Sequence, residues 1–261
     1  RDVATRSNIG FTLANRSQDG RQQGSVEVDT NLFFTDTFGF TGQFVKSYGQ
    51  HETGTVAFFA RPSYDSATAH AHVRFTYLGD RVADNINAIG FIRDDDRREI
   101  ESAVAKTFWI RNGPLERLRY NSNYNIYWGQ SGTLRSWKVD ESLELDWRNR
   151  WSTSVSHTEE FKQYEKDFRN RQTEMEVGYN TRSYQSVRGG YSFGQNFDAD
   201  FQLWSAAATY KVTEEVSAEY ELQRLQLDPD PENKSTWVHI IRANQFFTPD
   251  LFLRVFFQTN S

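Results

Sequence analysis

Residues 67–77 read ATAHAHVRFTY: Ala67, Ala69, Ala71, Val73, Phe75 and Tyr77 alternate one for one with Thr68, His70, His72, Arg74 and Thr76. A period of two puts the small and apolar set on one face of an extended strand and the polar set on the other, whereas a 3.6-residue period would mix them. The pattern recurs about fifteen times along the chain, so it describes the whole molecule and not one segment. Ile9, Phe11 and Leu13 begin it; Val26, Val28, Leu32 and Phe34 oppose Glu27, Asp29 and Asn31; Tyr120, Tyr124, Ile126 and Trp128 oppose Arg119, Asn121, Asn123 and Asn125. Trp137, Val139, Leu143, Leu145 and Trp147 oppose Lys138, Asp140, Ser142, Glu144 and Asp146, and Leu251, Leu253, Val255 and Phe257 close the series.

The composition says which apolar faces such strands can afford to hide. Only 37% of the 261 residues are hydrophobic, which is lean for a soluble sandwich that must fill the space between two sheets. A barrel around a polar lumen needs apolar residues on its outer face alone. No apolar run approaches the roughly 18 residues of a spanning helix. The chain has no cysteine, hence no disulfide framework or thiol chemistry. Its net charge of −5 is spread along the chain, which argues against a nucleic-acid partner. The sequence opens at Arg1 without an initiator methionine or a signal peptide, so a mature or excised fragment is expected.

Two further patterns favour a membrane barrel. Short links (35–37, 62–66, 148–150, 181–185, 213–215, 248–250) alternate with longer ones (18–24, 49–54, 79–96, 158–170, 194–200, 228–236), as turns and loops do on the two sides of an outer-membrane barrel. The link at 129–132, with its Ser131-Gly132 hairpin signal, is short where a long one is due. Aromatic residues gather near strand ends, and Tyr77, Trp128, Trp137, Trp147, Trp151, Trp204, Tyr210 and Trp237 are the candidates for two girdles at the headgroup level.

Several segments resemble a family of bacterial outer-membrane β-barrels of poorly defined function, which in longer proteins follow a sugar-binding-module-like β-sandwich. The matching segments are NIGFTLANR (8–16), VDTNLFFTDTFGFTGQFVKS (28–47), NAIGFIRDDDRRE (87–99) and PDLFLRVFFQTNS (249–261). The resemblance implies a single barrel domain over 1–261, here without its amino-terminal sandwich and without at least one closing hairpin. Complete, such a barrel would have 16 to 18 strands, since bacterial single-chain barrels have even counts. The family has no established catalytic residues to carry over.

The chemistry-bearing residues fall into a few groups. His70 and His72 share a strand face and could ligate a metal, but no spacing fixes a third ligand, so they read as polar lining. Asp228, Asp230 and Glu232, with Asn233, resemble an oxygen-rich calcium loop, yet Pro229 and Pro231 make a stiff turn the plainer reading. In Asp94-Asp95-Asp96-Arg97-Arg98-Glu99 adjacent opposite charges neutralise one another more simply than they bind a cation or a sugar. No carboxylate pair is singled out for glycoside hydrolysis, and phosphate-loop, nucleophile-elbow and zinc-helix motifs are missing. No enzymatic activity and no cofactor are expected.

The polar set nominates His70, His72, Arg74, Arg119, Lys138, Asp140, Glu144, Asp146 and Arg242 as lumen-lining. The expectation is an all-β, antiparallel up-and-down transmembrane barrel in the bacterial outer membrane, in contact with lipid. It would pass or export a polar solute, with carbohydrate suggested only by the family's companion domain, or anchor a periplasmic partner. The rivals are a soluble or surface β-sandwich that binds glycans, and a structural subunit of an envelope complex.

Overall fold

A computed structural model of the chain describes all residues except 1, 5, 88, 91, 93, 231–234 and 249, with residues 2–4 described by backbone alone. The alternating segments become β1 (Asp2–Ala4), β2 (Ser7–Gln18), β3 (Arg21–Phe33), β4 (Phe38–Tyr48), β5 (Val56–Asp65), β6 (Ala69–Leu78), β7 (Arg97–Trp109) and β8 (Leu115–Trp128). They continue as β9 (Leu134–Trp147), β10 (Trp151–Gln163), β11 (Asp167–Tyr179), β12 (Ser186–Asn196), β13 (Ala199–Lys211), β14 (Val216–Asp228), β15 (Thr236–Thr248) and β16 (Leu251–Asn260). The one helix among the described residues, α1 (Val82–Ile86), lies between β6 and β7. Neighbours in sequence are neighbours in the sheet, in the order β1 to β16, in an antiparallel up-and-down meander.

After the three-residue β1, fifteen strands run 10 to 14 residues each. Roughly 9 to 11 tilted strand residues cross a bilayer core, so every one of these strands is long enough. Burial follows the alternation in an inverted sense. Along β13 the even positions from Gln202 to Tyr210 are exposed while the odd ones are half-buried or buried, and those even positions include Trp204, 51% exposed, and Tyr210, 60% exposed. Among the described residues only Ala57, Val82 and Ala207 are buried apolar side chains, against eight buried polar ones. A sandwich would press its apolar faces together and bury them; here those faces carry Ile9, Phe11, Leu13, Val104, Met175 and Val177 in the open.

The chain divides into two compact units. The first comprises Arg1–Lys106, Ser122–Val139 and Phe161–Asp167; the second comprises Thr107–Asn121, Asp140–Glu160 and Phe168–Ser261. In the first unit Asp19 and Gly20 both adopt positive φ, the conformation that a two-residue hairpin between β2 and β3 requires. Gly24 in β3 lies beneath Tyr48 of β4, whose hydroxyl donates to the Ala14 carbonyl of β2 at 3.3 Å. A Cβ at Gly24 would fall 2.2 Å from that carbonyl oxygen, so no side chain fits there.

Several connections differ from their sequence reading. The stretches 18–24, 158–170 and 194–200 are mostly strand, leaving turns of two (19–20), three (164–166) and two (197–198) residues. Polar side chains on both faces of these strand ends hide the alternation. Among the described residues the longer links on their side of the meander are those between β4 and β5, β6 and β7, and β14 and β15. Pro62 lies inside β5, not in a turn. It keeps an extended backbone, and the β5–β6 register omits Arg61 and Pro62, where proline has no N–H to give.

Candidate functional site

Two faces with different chemistry are the raw material of any site here. The polar face of the first unit carries the paired histidines of β6. His70 Nδ1 lies 2.5 Å from Asp65 Oδ1, His70 Nε2 lies 2.8 Å from His72 Nδ1, and His72 Nε2 lies 3.9 Å from Glu101 on β7. Arg61 approaches His72 Nδ1 at 3.3 Å. The histidine nitrogens thus bond to each other and to a carboxylate, and no group of three or more His, Asp or Glu among the described residues is placed to hold a metal ion. Arg74, two positions on, stacks its guanidinium 4.5 Å from the Phe59 ring centroid.

Described residues of the long connection between β6 and β7 are tied down by side-chain hydrogen bonds. Val82 and Asn85 of α1 are fully buried. Asn85 donates from Nδ2 to Ser47 Oγ (3.3 Å) and to the His51 carbonyl (3.0 Å), and its Oδ1 accepts from the His51 amide (3.1 Å). Ser47 shares the polar face of β4 with Gln43 and Val45, so the connection folds against that face at the end of β4. Its acids are committed in the same way. Asp95 accepts from the Ala83 amide (2.8 Å), Asp96 accepts from the Gln130 amide (2.7 Å) and from Arg135, and Asp94 lies 4.0 Å from both Arg97 and Arg135.

In the second unit the polar face centres on Asp146, a buried carboxylate at the end of β9. Its Oδ2 receives Arg117 Nε from β8 and a terminal nitrogen of Arg182 from the β11–β12 turn, both at 2.5 Å. Glu144 lies 3.8 Å from Arg117, and Glu116 lies 3.4 Å from Arg182. Arg117, Glu144, Asp146 and Arg182 line a recess of about 260 Å³ together with Ser152, Thr181 and Glu176. Asp146 and the hydrogen-bonded Glu116 hold the Arg182 guanidinium above even its ordinary high pKa. Asp140 accepts from Thr158 at 2.6 Å, Arg119 donates to Asn121 at 3.2 Å, and Arg242 pairs with Glu219 at 2.8 Å and Glu221 at 3.5 Å. Lys138 of the first unit is engaged as well.

Sequence reasoning missed several members of these clusters. Arg117 and Arg182 fall outside the polar set that alternation picks out, because one lies at the edge of its strand pattern and the other in a turn. Nor does alternation announce Glu141 and His239, two polar residues on the apolar face; each bonds to a tyrosine hydroxyl on the adjacent strand, Tyr120 and Tyr220 respectively. Phe201, Leu203, Leu225 and Leu227 are the converse, apolar residues on the polar face.

The aromatic candidates divide by exposure. Trp151, Trp204, Tyr210 and Trp237 are exposed, with Trp151 against Tyr179 (5.4 Å) and Trp204 against Tyr191 (4.2 Å). Tyr77, Trp128, Trp137 and Trp147 are half-buried, Tyr77 being stacked on Phe58 at 5.3 Å. Of the calcium-loop candidates, Asp228 ends β14 and Asp230 has a partner, while Glu232 and Asn233 lie outside the described residues.

An architecture of this kind has a structural counterpart. The crystal structure of Pseudomonas aeruginosa OccK3 (OpdO), an outer-membrane porin, superposes over 97% of this chain and 76% of its own, with a TM-score of 0.52. The fold is that of an outer-membrane porin. At 9% identity the likeness is one of fold alone. No protein-family model and no curated protein sequence matches the chain, and nothing supports the sugar-binding companion domain that the family resemblance implies. The porin fold accounts for the inverted burial, since strands of that architecture turn their apolar side to lipid and their polar side to water.

Proposed function

We propose that the chain is the barrel of a bacterial outer-membrane channel that lets small polar solutes pass, with Tyr77, Trp128, Trp137, Trp147, Trp151, Trp204, Tyr210 and Trp237 at the headgroup level. The observation that carries this reading is the segregation of exposed apolar side chains to one face and ion-paired ones to the other, on a porin fold. His70, His72, Arg74, Arg119, Lys138, Asp140, Glu144, Asp146 and Arg242 line the aqueous path in this reading. They bias which solutes enter by charge. Near-balanced charge along that lining favours solutes with both polar signs or none over strongly charged ones. Carbohydrate as cargo rests on the family resemblance alone, and anchorage of a periplasmic partner rests on no feature of the geometry.

No step of chemistry is assigned: Asp146, Glu219 and Glu99 on the polar face are held in ion pairs and hydrogen bonds with arginine and asparagine. The test is single-channel recording of the detergent-extracted protein in a planar bilayer. Discrete conductance steps are expected. A folded protein that inserts and yields no conductance would overturn passage and leave an envelope-structural role.

A further inference from the structure

The polar face of the first unit contains a recess of about 350 Å³ between β4, β5, β6 and β7. Its floor is apolar, made by Val45, Ala57, Phe59 and Leu78, and its walls carry Arg74, Arg97, Glu99 and Glu101. Arg97 is spoken for: it pairs with Glu99 at 3.2 Å, and its guanidinium lies 4.3 Å from the Tyr127 ring centroid. Glu99 in turn accepts from Asn125 at 2.5 Å. That leaves one cation and one anion.

Arg74 and Glu101 are direct cross-strand neighbours in the β6–β7 register. Opposite charges so placed ordinarily pair. Here they do not. The Arg74 guanidinium turns onto Phe59, its Nε is buried without a hydrogen-bond partner, and no ion pair to it forms among the described residues. Glu101 has only the edge of His72, 3.9 Å away. The two terminal nitrogens of Arg74 are not buried and have no acceptor among the described residues, so they stay open to a ligand, and a carboxylate on the same recess without a close donor is their complement.

We infer that this recess binds a small aliphatic zwitterion of the amino-acid type, its carboxylate on Arg74, its ammonium on Glu101 and its side chain on Val45, Ala57 and Leu78. The guanidinium offers its two terminal nitrogens to a carboxylate as a fork, and stacking on Phe59 holds that fork in one plane. Glu101 supplies the counter-charge that a site for simple anions would lack. The inference extends the channel reading by naming a solute class, but its test reads binding and not passage, so the two can fail separately.

The probe is L-leucine, titrated by calorimetry into the detergent-solubilised protein, with N-acetyl-leucine (carboxylate only) and leucinamide (ammonium only) as controls. Leucine is expected to bind and each control to bind about tenfold more weakly or worse, as loss of one charge-assisted contact requires. Arg74→Gln and Glu101→Gln should each weaken leucine by a similar factor, with the heat-shifted gel mobility of the folded protein retained. Equal binding of N-acetyl-leucine would make this a plain anion site, and equal binding of leucinamide a cation site. Either result, or no binding of leucine to the unaltered protein, overturns the inference.

Discussion

Two regions organised around buried polar side chains, the Asn85 hub of the first unit and the Asp146 clamp of the second, solve the same problem by different means. Asn85 is neutral and fully buried, and it spends its amide on three neutral partners that tie the connection 79–96 to the one at 49–55. Asp146 is charged and sits between two arginines, one of them half-exposed on a turn. A neutral hub holds backbone in place irrespective of salt; a charged clamp holds side chains, and in doing so sets the local charge of the polar face. The first is architecture. The second is a surface on which solute and ions can act.

The contrast breaks most readily at Asn85. Asn85→Ala strands the His51 amide and carbonyl and removes one donor from Ser47 Oγ, which keeps its own bond to the Thr55 carbonyl, at a cost of about 3 kcal/mol. The expected result is faster proteolysis within 79–96 and lost amide-exchange protection around His51, at low and high salt alike; an unchanged digest would show that the connection is held by something else. Asp146→Asn leaves Arg117 and Arg182 facing each other across a neutral amide, at a cost of about 1 to 2 kcal/mol once the half-exposed Arg182 is discounted. The urea midpoint should fall, and fall less in high salt, where screening softens the repulsion. A salt-independent loss would mean that Asp146 acts as a hydrogen-bond acceptor only, like Asn85.

Smaller effects sharpen the picture of the opposite face. Tyr220→Phe removes the hydroxyl 2.8 Å from His239 Nδ1 and leaves a ring nitrogen facing an apolar surrounding, for about 1 kcal/mol. The measurement is the thermal midpoint in lipid compared with that in a mild detergent, with the larger drop expected in lipid. An equal drop in both would place His239 in water.

The strands were legible in the sequence because burial on one side only is a period-two signal that survives without any knowledge of partners. Val73, Phe75 and Tyr77 announce a face whatever lies beyond it. The signal fails where both faces meet water: Glu159, Glu160, Lys162 and Gln163 read as a loop and form the end of β10. It fails also where the fold is made by long-range bonds. Asn85 gives no hint of Ser47, nor Asp146 of Arg182, because five helical residues and a turn carry no periodicity to read. The nominated polar residues were found as members of a face, and their partners came only with the register between strands. The alternation likewise could not show that Arg74 and Glu101, paired by position, would stay apart.

Because the chain has no native cysteine, the assignment of faces can be read one residue at a time along β13. Single cysteines at Ala206 and Ala208 should resist a membrane-impermeant maleimide in proteoliposomes and, once labelled in detergent, be quenched by a lipid-borne quencher. Cysteines at Ser205 and Thr209 should show the reverse. Equal aqueous reactivity at all four positions, or the opposite phase, would contradict the claim that the apolar side of each strand meets hydrocarbon.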